Sequence, residues 1–394
     1  MSSAPPRRQS WSAGSGTSRL AINQFQQQDL LDEPAVDRFL ATREVPIVEG
    51  RHCTFLFRGE ADEVHLAQRI LGLPSRLPMR RIGATTLWYI ALKVPDGSRI
   101  NYQLEVRRGQ DVQRFNDPLN PKHSHSPFGA ISVSFARGYI TPEWTIRDEN
   151  APAGELTELV VDSRAMQRDC PVTMYLPAGF RRTESYPLLV VHDGGDFLQY
   201  SAAKVVLDNL IHRAEIAEMV VAFLYPKDRL VEYANSPDHA RFLTHELLPK
   251  LEDEFPLVSN RSARGLLGAS FGAIAALSAA YRSPRTYGSL VLMSGSFVYA
   301  DAGTDHGGGP AFDPVVKFVS RFRDRPRRVA DRLFVSCGTY EPLIIPNRAI
   351  VPVFEAAGMN VRYVEARDGH TWENWRDRLR DALTWVSPGP ALAD

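Results

Sequence analysis

Cysteine is scarce and scattered in this chain. Cys53, Cys170 and Cys337 are the only three among 394 residues, and no two form a CxxC pair. An odd, widely spaced set gives neither a disulfide framework nor a zinc-ligand spacing. No metal or cofactor is therefore expected, and a reducing compartment is. Charge of one sign is lacking too: Lys plus Arg and Asp plus Glu both number 46. That balance removes the basic excess typical of nucleic-acid binders. Long apolar runs are also missing, since no stretch approaches the roughly 20 residues a membrane helix needs. The opening MSSAPPRRQSWSAGSGTSRL carries arginines with no apolar segment behind them, so it does not read as a secretory signal. These absences predict a soluble, cytoplasmic protein with neither nucleic-acid nor membrane partners.

What is present points to two domains, the natural division for a chain of this length. Residues 1–22 are rich in Ser, Pro, Gly and Arg and read as a disordered tail. Residues 23–150 read as an all-β sandwich. HCTFLFRG (52–59), TTLWYIALKV (85–94) and INYQLEVRRG (100–109) alternate apolar and polar positions and are rich in aromatic and β-branched residues. The stretch FNDPLNPKHSHSPFG (115–129) reads as a loop leading out of it. Over 151–388 the rhythm changes to apolar strands alternating with helices, expected at 200–213, 238–255, 271–282, 345–357 and 372–386. That alternation predicts a mostly parallel sheet with helices on both faces. In such sheets functional groups gather at the carboxyl ends of the strands.

One stretch at such an end carries chemistry. GLLGASFGAIAAL (265–277) contains Gly268-x-Ser270-x-Gly272 between a short apolar strand and a helix of small residues. A strand–Gly-x-Ser-x-Gly–helix unit is a nucleophile elbow, whose strained turn exposes the serine Oγ. The alternative is a plain βα turn with a buried serine. In this arrangement the acid and the histidine follow the nucleophile in the chain, which leaves His306 and His370. His306 sits in the glycine-rich DAGTDHGGGP, a poor place to hold a base in register. His370 lies between the last strand and the last helix and is the expected base. Glu341, just past the strand in LFVSCGTYEPLI, is the expected acid, with a structural carboxylate or a Ser–His dyad left open. Asp368 is too close along the chain to address the His370 ring, and Asp331 precedes its strand. The oxyanion donors are expected from Phe271 N–H and from Gly194 and Gly195 in LLVVHDGGDFL. His192 in that stretch reads as a satisfied histidine at the end of a strand.

The segments GASFGAIAAL, LVLMSGSFVYA, CGTYEPLIIPNRAI and DGHTWENWRDRL together resemble the esterase-D-like α/β hydrolases, and within these the enterochelin (enterobactin) esterases. CTFLFRGEADEVHLA, TTLWYIALKVPDGSRINYQLEV and NDPLNP are similar to that family's N-terminal sandwich domain. The resemblance spans about residues 45–385. It implies an α/β hydrolase preceded by an all-β sandwich. The activity implied is cytoplasmic hydrolysis of the trilactone esters of a ferric catecholate siderophore, which releases the iron. It also implies that Ser270, His370 and Glu341 act as nucleophile, base and acid, and that Arg229, Trp372 and Trp375 touch substrate. A ferric tris-catecholate is a trianion, which an arginine suits. Arg229 reads equally as an ion-pair tether. Ala273, Val298 and Tyr299 depart from the family pattern at pocket positions.

Two other functions compete. One is an esterase acting on feruloyl or acetyl esters of sugars, with Trp88 and Tyr89 as a stacking platform, against which their place in an alternating strand puts at least one of them in the core. The other is a non-catalytic scaffold, disfavoured because Ser270, the VVHDGG loop and His370 are all retained.

Overall fold

A computed structural model describes residues 19–299 and 309–392. The chain divides into two compact units, Met1–Ile140 with Arg367–Thr371, and Thr141–Ala366 with Trp372–Asp394.

The first unit begins with two short helices, α1 (Ala21–Gln26) and α2 (Glu33–Ala41), which an all-β reading did not contain. The Asp32 carboxylate caps α2 by accepting from Ala35 N at 2.8 Å, and Pro34 occupies its first turn. Leu20 and Ile22 are buried with Phe25, Val36 and Phe39 against Leu56 and Leu87. The expected tail of residues 1–22 is corrected at that end, while residues 1–18 lie outside the described residues. Ten strands follow: β1 (Ile47–Glu49), β2 (His52–Arg58), β3 (Glu63–Gln68), β4 (Arg76–Pro78), β5 (Arg80–Arg81), β6 (Leu87–Lys93), β7 (Arg99–Arg108), β8 (Asp111–Phe115), β9 (His123–Ser126) and β10 (Gly129–Phe135). They form two antiparallel sheets, ordered β1-β2-β6-β5 and β4-β3-β7-β10-β9, with β8 added on β7.

Rings from the two sheets meet, Phe55 on Tyr102 at 4.7 Å and Phe57 on Phe115 at 6.1 Å between centroids. Burying Tyr102 requires partners for its hydroxyl. The NDPLN loop supplies them: Tyr102 donates to Asp117 Oδ2 (2.7 Å) and accepts from Asn120 Nδ2 (3.0 Å). Trp88 is buried and its indole N–H donates to Gly59 O, so it belongs to the core and is no surface platform. Asp368, in the distal segment of this unit, is also buried. Arg99 Nε and Nη2 donate to its carboxylate at 2.8 and 3.2 Å, and Arg99 N donates to Arg367 O.

The second unit contains β11 (Glu155–Ser163), β12 (Arg168–Leu176), β13 (Leu188–Val191), β14 (Val220–Leu224), β15 (Arg264–Ala269), β16 (Ser289–Met293), β17 (Arg332–Gly338) and β18 (Asn360–Ala366). Its helices are α3 (Gly194–Tyr200), α4 (Ala203–His212), α5 (Arg229–Glu232), α6 (Pro237–Arg241), α7 (Leu248–Glu254), α8 (Phe271–Arg282), α9 (Asp313–Asp324), α10 (Ile344–Ala356) and α11 (Trp372–Val386). The expected helix at 238–255 is interrupted over Phe242–Leu247 by a π turn. The sheet runs β11-β12-β14-β13-β15-β16-β17-β18, parallel from β14 onward and antiparallel at the β11 and β12 end. Because alternate side chains point to opposite faces, Leu188 and Val190 enter one core and Leu189 and Val191 the other. Helices α7, α8, α9 and α10 cover the first face, and α3, α4 and α11 the second. Each large apolar side chain so buried contributes about 1.5–3 kcal/mol. This is the α/β-hydrolase class of architecture.

Candidate active site

Ser270 occupies the turn from β15 into α8 with φ 57° and ψ −119°, a conformation few non-glycine residues adopt. The turn is held from several sides. Ser270 N donates to Met293 O at 2.9 Å, and Ser270 O accepts from Ala273 N and Ser296 N, each at 3.2 Å. The flanking glycines permit it. A Cβ on Gly268 would lie 2.2 Å from Gly272 O, and one on Gly272 would lie 3.2 Å from Asp193 Oδ2. Ser270 is half-buried, with its Oγ 3.4 Å from Ser296 Oγ. The N–H of Phe271 opens α8, where first-turn amides have no partner within the helix and the dipole favours negative charge.

The neighbouring strand ends bring further groups to this edge of the sheet. After β13 the chain turns through Asp193 in the left-handed region (φ 54°), so that Gly194 and Gly195 open α3. They are the first residues of a helix and no open loop. Asp193 N donates to Tyr233 Oη at 3.1 Å. After β14, Arg229 lies against Asp193 through two parallel bonds of 2.8 Å and also donates to Ala269 O at 3.2 Å. Burial pulls the Arg229 guanidinium down, and Asp193 more than offsets this, leaving it above its ordinary value. Asp196 in α3 is held above the usual carboxylate range by burial and by the Asp193 charge.

Glu341 follows β17 and is buried. Its Oε1 accepts from Ser294 Oγ at 2.7 Å and from Gly338 N at 2.8 Å. Ser294 in turn accepts from the Trp375 indole N–H at 2.9 Å. Burial, and then the nearby Glu341 charge, push the Cys337 thiol well above its usual value, so it is no nucleophile. Trp375 and Trp372 pack edge to face at 4.7 Å, and Phe197 meets both. Both indoles are buried in the core of the second unit.

His370 lies beyond β18 in the segment Arg367–Thr371, which belongs to the first unit. Asp368 in that segment is taken up by Arg99, Gly369 N and Thr371 Oγ1. His306 falls outside the described residues. His192 is satisfied, as expected. Its Nδ1–H donates to Leu267 O at 2.9 Å, so its Nε2 accepts from His239 Nε2–H at 3.1 Å. Burial lowers His192 to about 4 and His239 well below its ordinary value, which keeps both neutral. Sequence reasoning gave no role to Ser294, Ser296 or Tyr233. The polar SGS directly after the apolar strand LVLM was the available signal for the two serines.

Among the described residues no group of His, Cys, Asp and Glu could hold a metal ion, and no helix is long and apolar enough to cross a membrane. Residues 163–386 match the family model described as "Putative esterase". The Iron(III) enterobactin esterase of Escherichia coli O6:H1 is 23% identical over 77% of this chain and 80% of its own length. A protein of Bacillus subtilis, YjcH, is 23% identical over 58% of this chain and 96% of its own. The solved structure of the enterobactin esterase FES from Shigella flexneri superposes with a TM-score of 0.72 at 19% identity, covering 89% of this chain and 97% of that one. A ferulic acid esterase from Anaeromyces mucronatus gives 0.52 at 15% identity, over 62% of this chain and 94% of that one. With the matched segment holding the elbow, the adjoining strand ends and more than half of the sequence, the chain belongs to the esterase family of hydrolases.

Proposed function

We propose that the chain is a serine esterase that opens the trilactone esters of a ferric catecholate siderophore such as enterobactin. Ser270 Oγ attacks the ester carbonyl while His370 takes its proton, and Glu341 stabilises the imidazolium that forms. The oxyanion meets the N–H of Phe271 and those of Gly194 and Gly195. His370 then protonates the departing alkoxide, and water releases the acyl group by the reverse sequence. The observation that carries the chemistry is the strained Ser270 turn at the N-terminus of α8, whose first-turn amides have no partner within the helix. The substrate rests on similarity to enterobactin esterases that extends through the β-rich first unit, read here as a sandwich domain. A cytoplasmic location accords with that substrate, because the iron arrives bound to it and is freed by hydrolysis.

A second reading is hydrolysis of hydroxycinnamoyl or acetyl esters of sugars, favoured by the ferulic acid esterase likeness. A side-by-side assay of ferric enterobactin, methyl ferulate and acetylated xylan separates the two. Our reading expects turnover of the siderophore to exceed that of both other esters. Indifference to the siderophore with brisk cleavage of methyl ferulate would overturn it.

A further inference from the structure

The Arg229 guanidinium is committed to protein. Of its five N–H donors, Nε–H and one on Nη2 hold the two oxygens of Asp193 at 2.8 Å, and Nη2 also reaches Ala269 O at 3.2 Å. The three segments joined in this way lie at or just beyond the ends of three neighbouring parallel strands, β14, β13 and β15. Two of them have a part in the reaction proposed above. Asp193 immediately precedes Gly194, and Ala269 immediately precedes Ser270. Arg229 thus spans the end of the central strand and ties the loop of the expected oxyanion donors to the elbow of the nucleophile.

The rest of the surroundings brace this bridge. Asp193 is a non-glycine residue in the left-handed region, held at its backbone by Tyr233 Oη and at its carboxylate by Arg229. Its carboxylate packs against the second elbow glycine, Gly272. The turn that presents Arg229 is fixed by Glu232, which accepts from Lys227 N and Asp228 N and pairs with Arg168 on β12. Asp193 is almost wholly buried, and Arg229 is its ion-pair partner. A planar fork with two parallel bonds fixes direction as well as distance, which a lysine cannot do.

We infer that Arg229 is a positioning residue, acting through Asp193 and Ala269 to hold the oxyanion donors in register with Ser270, and that it does not serve to bind an anionic substrate. The inference rests on the serine-esterase reading. The test compares Arg229→Ala, Arg229→Lys, Asp193→Asn and the double variant Arg229→Met/Asp193→Asn on p-nitrophenyl butyrate and on the anionic mono-p-nitrophenyl succinate. All four are expected to lose about 100-fold in kcat on both esters, the scale of one lost oxyanion donor, with KM nearly unchanged. Added guanidinium, well below denaturing concentration, is expected to restore part of kcat to Arg229→Ala. Should Arg229→Ala fail to fold because Asp193 is left without its partner, the double variant still reads the effect, since it carries neither charge. The double variant is expected to be no worse than the poorer single variant. A rise in KM confined to the anionic ester, losses that multiply in the double variant, or a folded double variant with wild-type kcat would each overturn the inference. Ser270→Ala run alongside keeps the two claims apart. If it stays active the esterase reading fails, whereas if it is inert and Arg229 behaves otherwise, only the positioning role fails.

Discussion

In the reaction we propose, Glu341 steadies an imidazolium, and the way its carboxylate is held makes a residue-scale prediction. Trp375 donates to Ser294, Ser294 donates to Glu341 Oε1, and Gly338 N donates to the same oxygen. Hydrogen bonds to a charged group contribute about 1.5–3 kcal/mol. Ser294→Ala is therefore expected to lower kcat about 10- to 100-fold, and Trp375→Phe by less, since it acts one bond further back. Steady-state kinetics check this, with thermal unfolding to show that both variants fold; an unchanged kcat in Ser294→Ala would contradict a role for Glu341. That Ser270 and Glu341 lie just past strand ends was legible in the sequence, because the strands before them are strongly apolar. The Trp375 contact was not. Its partner lies on a different strand end, and a helix motif shared with a family gives no sign of which way an indole points.

At the scale of elements, what could be read depended on whether local pattern and tertiary packing agreed. Helix α8 was legible because its small residues, its start after the elbow and its end near Pro284 all point the same way. Helix α3 was not, since two leading glycines are poor helix formers, and burial of Phe197 outweighs that preference. Helix α9 was readable in principle, with Val315, Phe318, Val319 and Phe322 at i, i+3, i+4 and i+7. Helix α1 is short and joins a Ser- and Gly-rich segment, so only its packing on the first sheet marks it. Strand β7 carries a prediction of its own through Arg99, which is buried against Asp368. Removing one partner of a buried pair costs about 3–5 kcal/mol. Arg99→Met is expected to destabilise the protein by that amount in urea denaturation, and Arg99→Met with Asp368→Leu to recover most of it. A single variant as stable as the wild type would show that the pair does not brace this unit.

For the whole molecule, the balanced charge, the sheet with helices on both faces and the esterase membership converge on one chemistry, placed at the carboxyl ends of the parallel strands. The architecture was readable from the alternation of strands and helices alone. The choice of ester was not, because a shared fold hosts many substrates. The central claim is that Ser270 is the nucleophile, and covalent labelling tests it most directly. Treatment with diethyl p-nitrophenyl phosphate, followed by intact-mass and peptide analysis, is expected to give one diethylphosphoryl adduct per chain, on Ser270. Activity should fall in proportion, and Ser270→Ala should be neither labelled nor active. An adduct on another residue, or a Ser270→Ala variant that still hydrolyses p-nitrophenyl butyrate at the wild-type rate, would contradict the account.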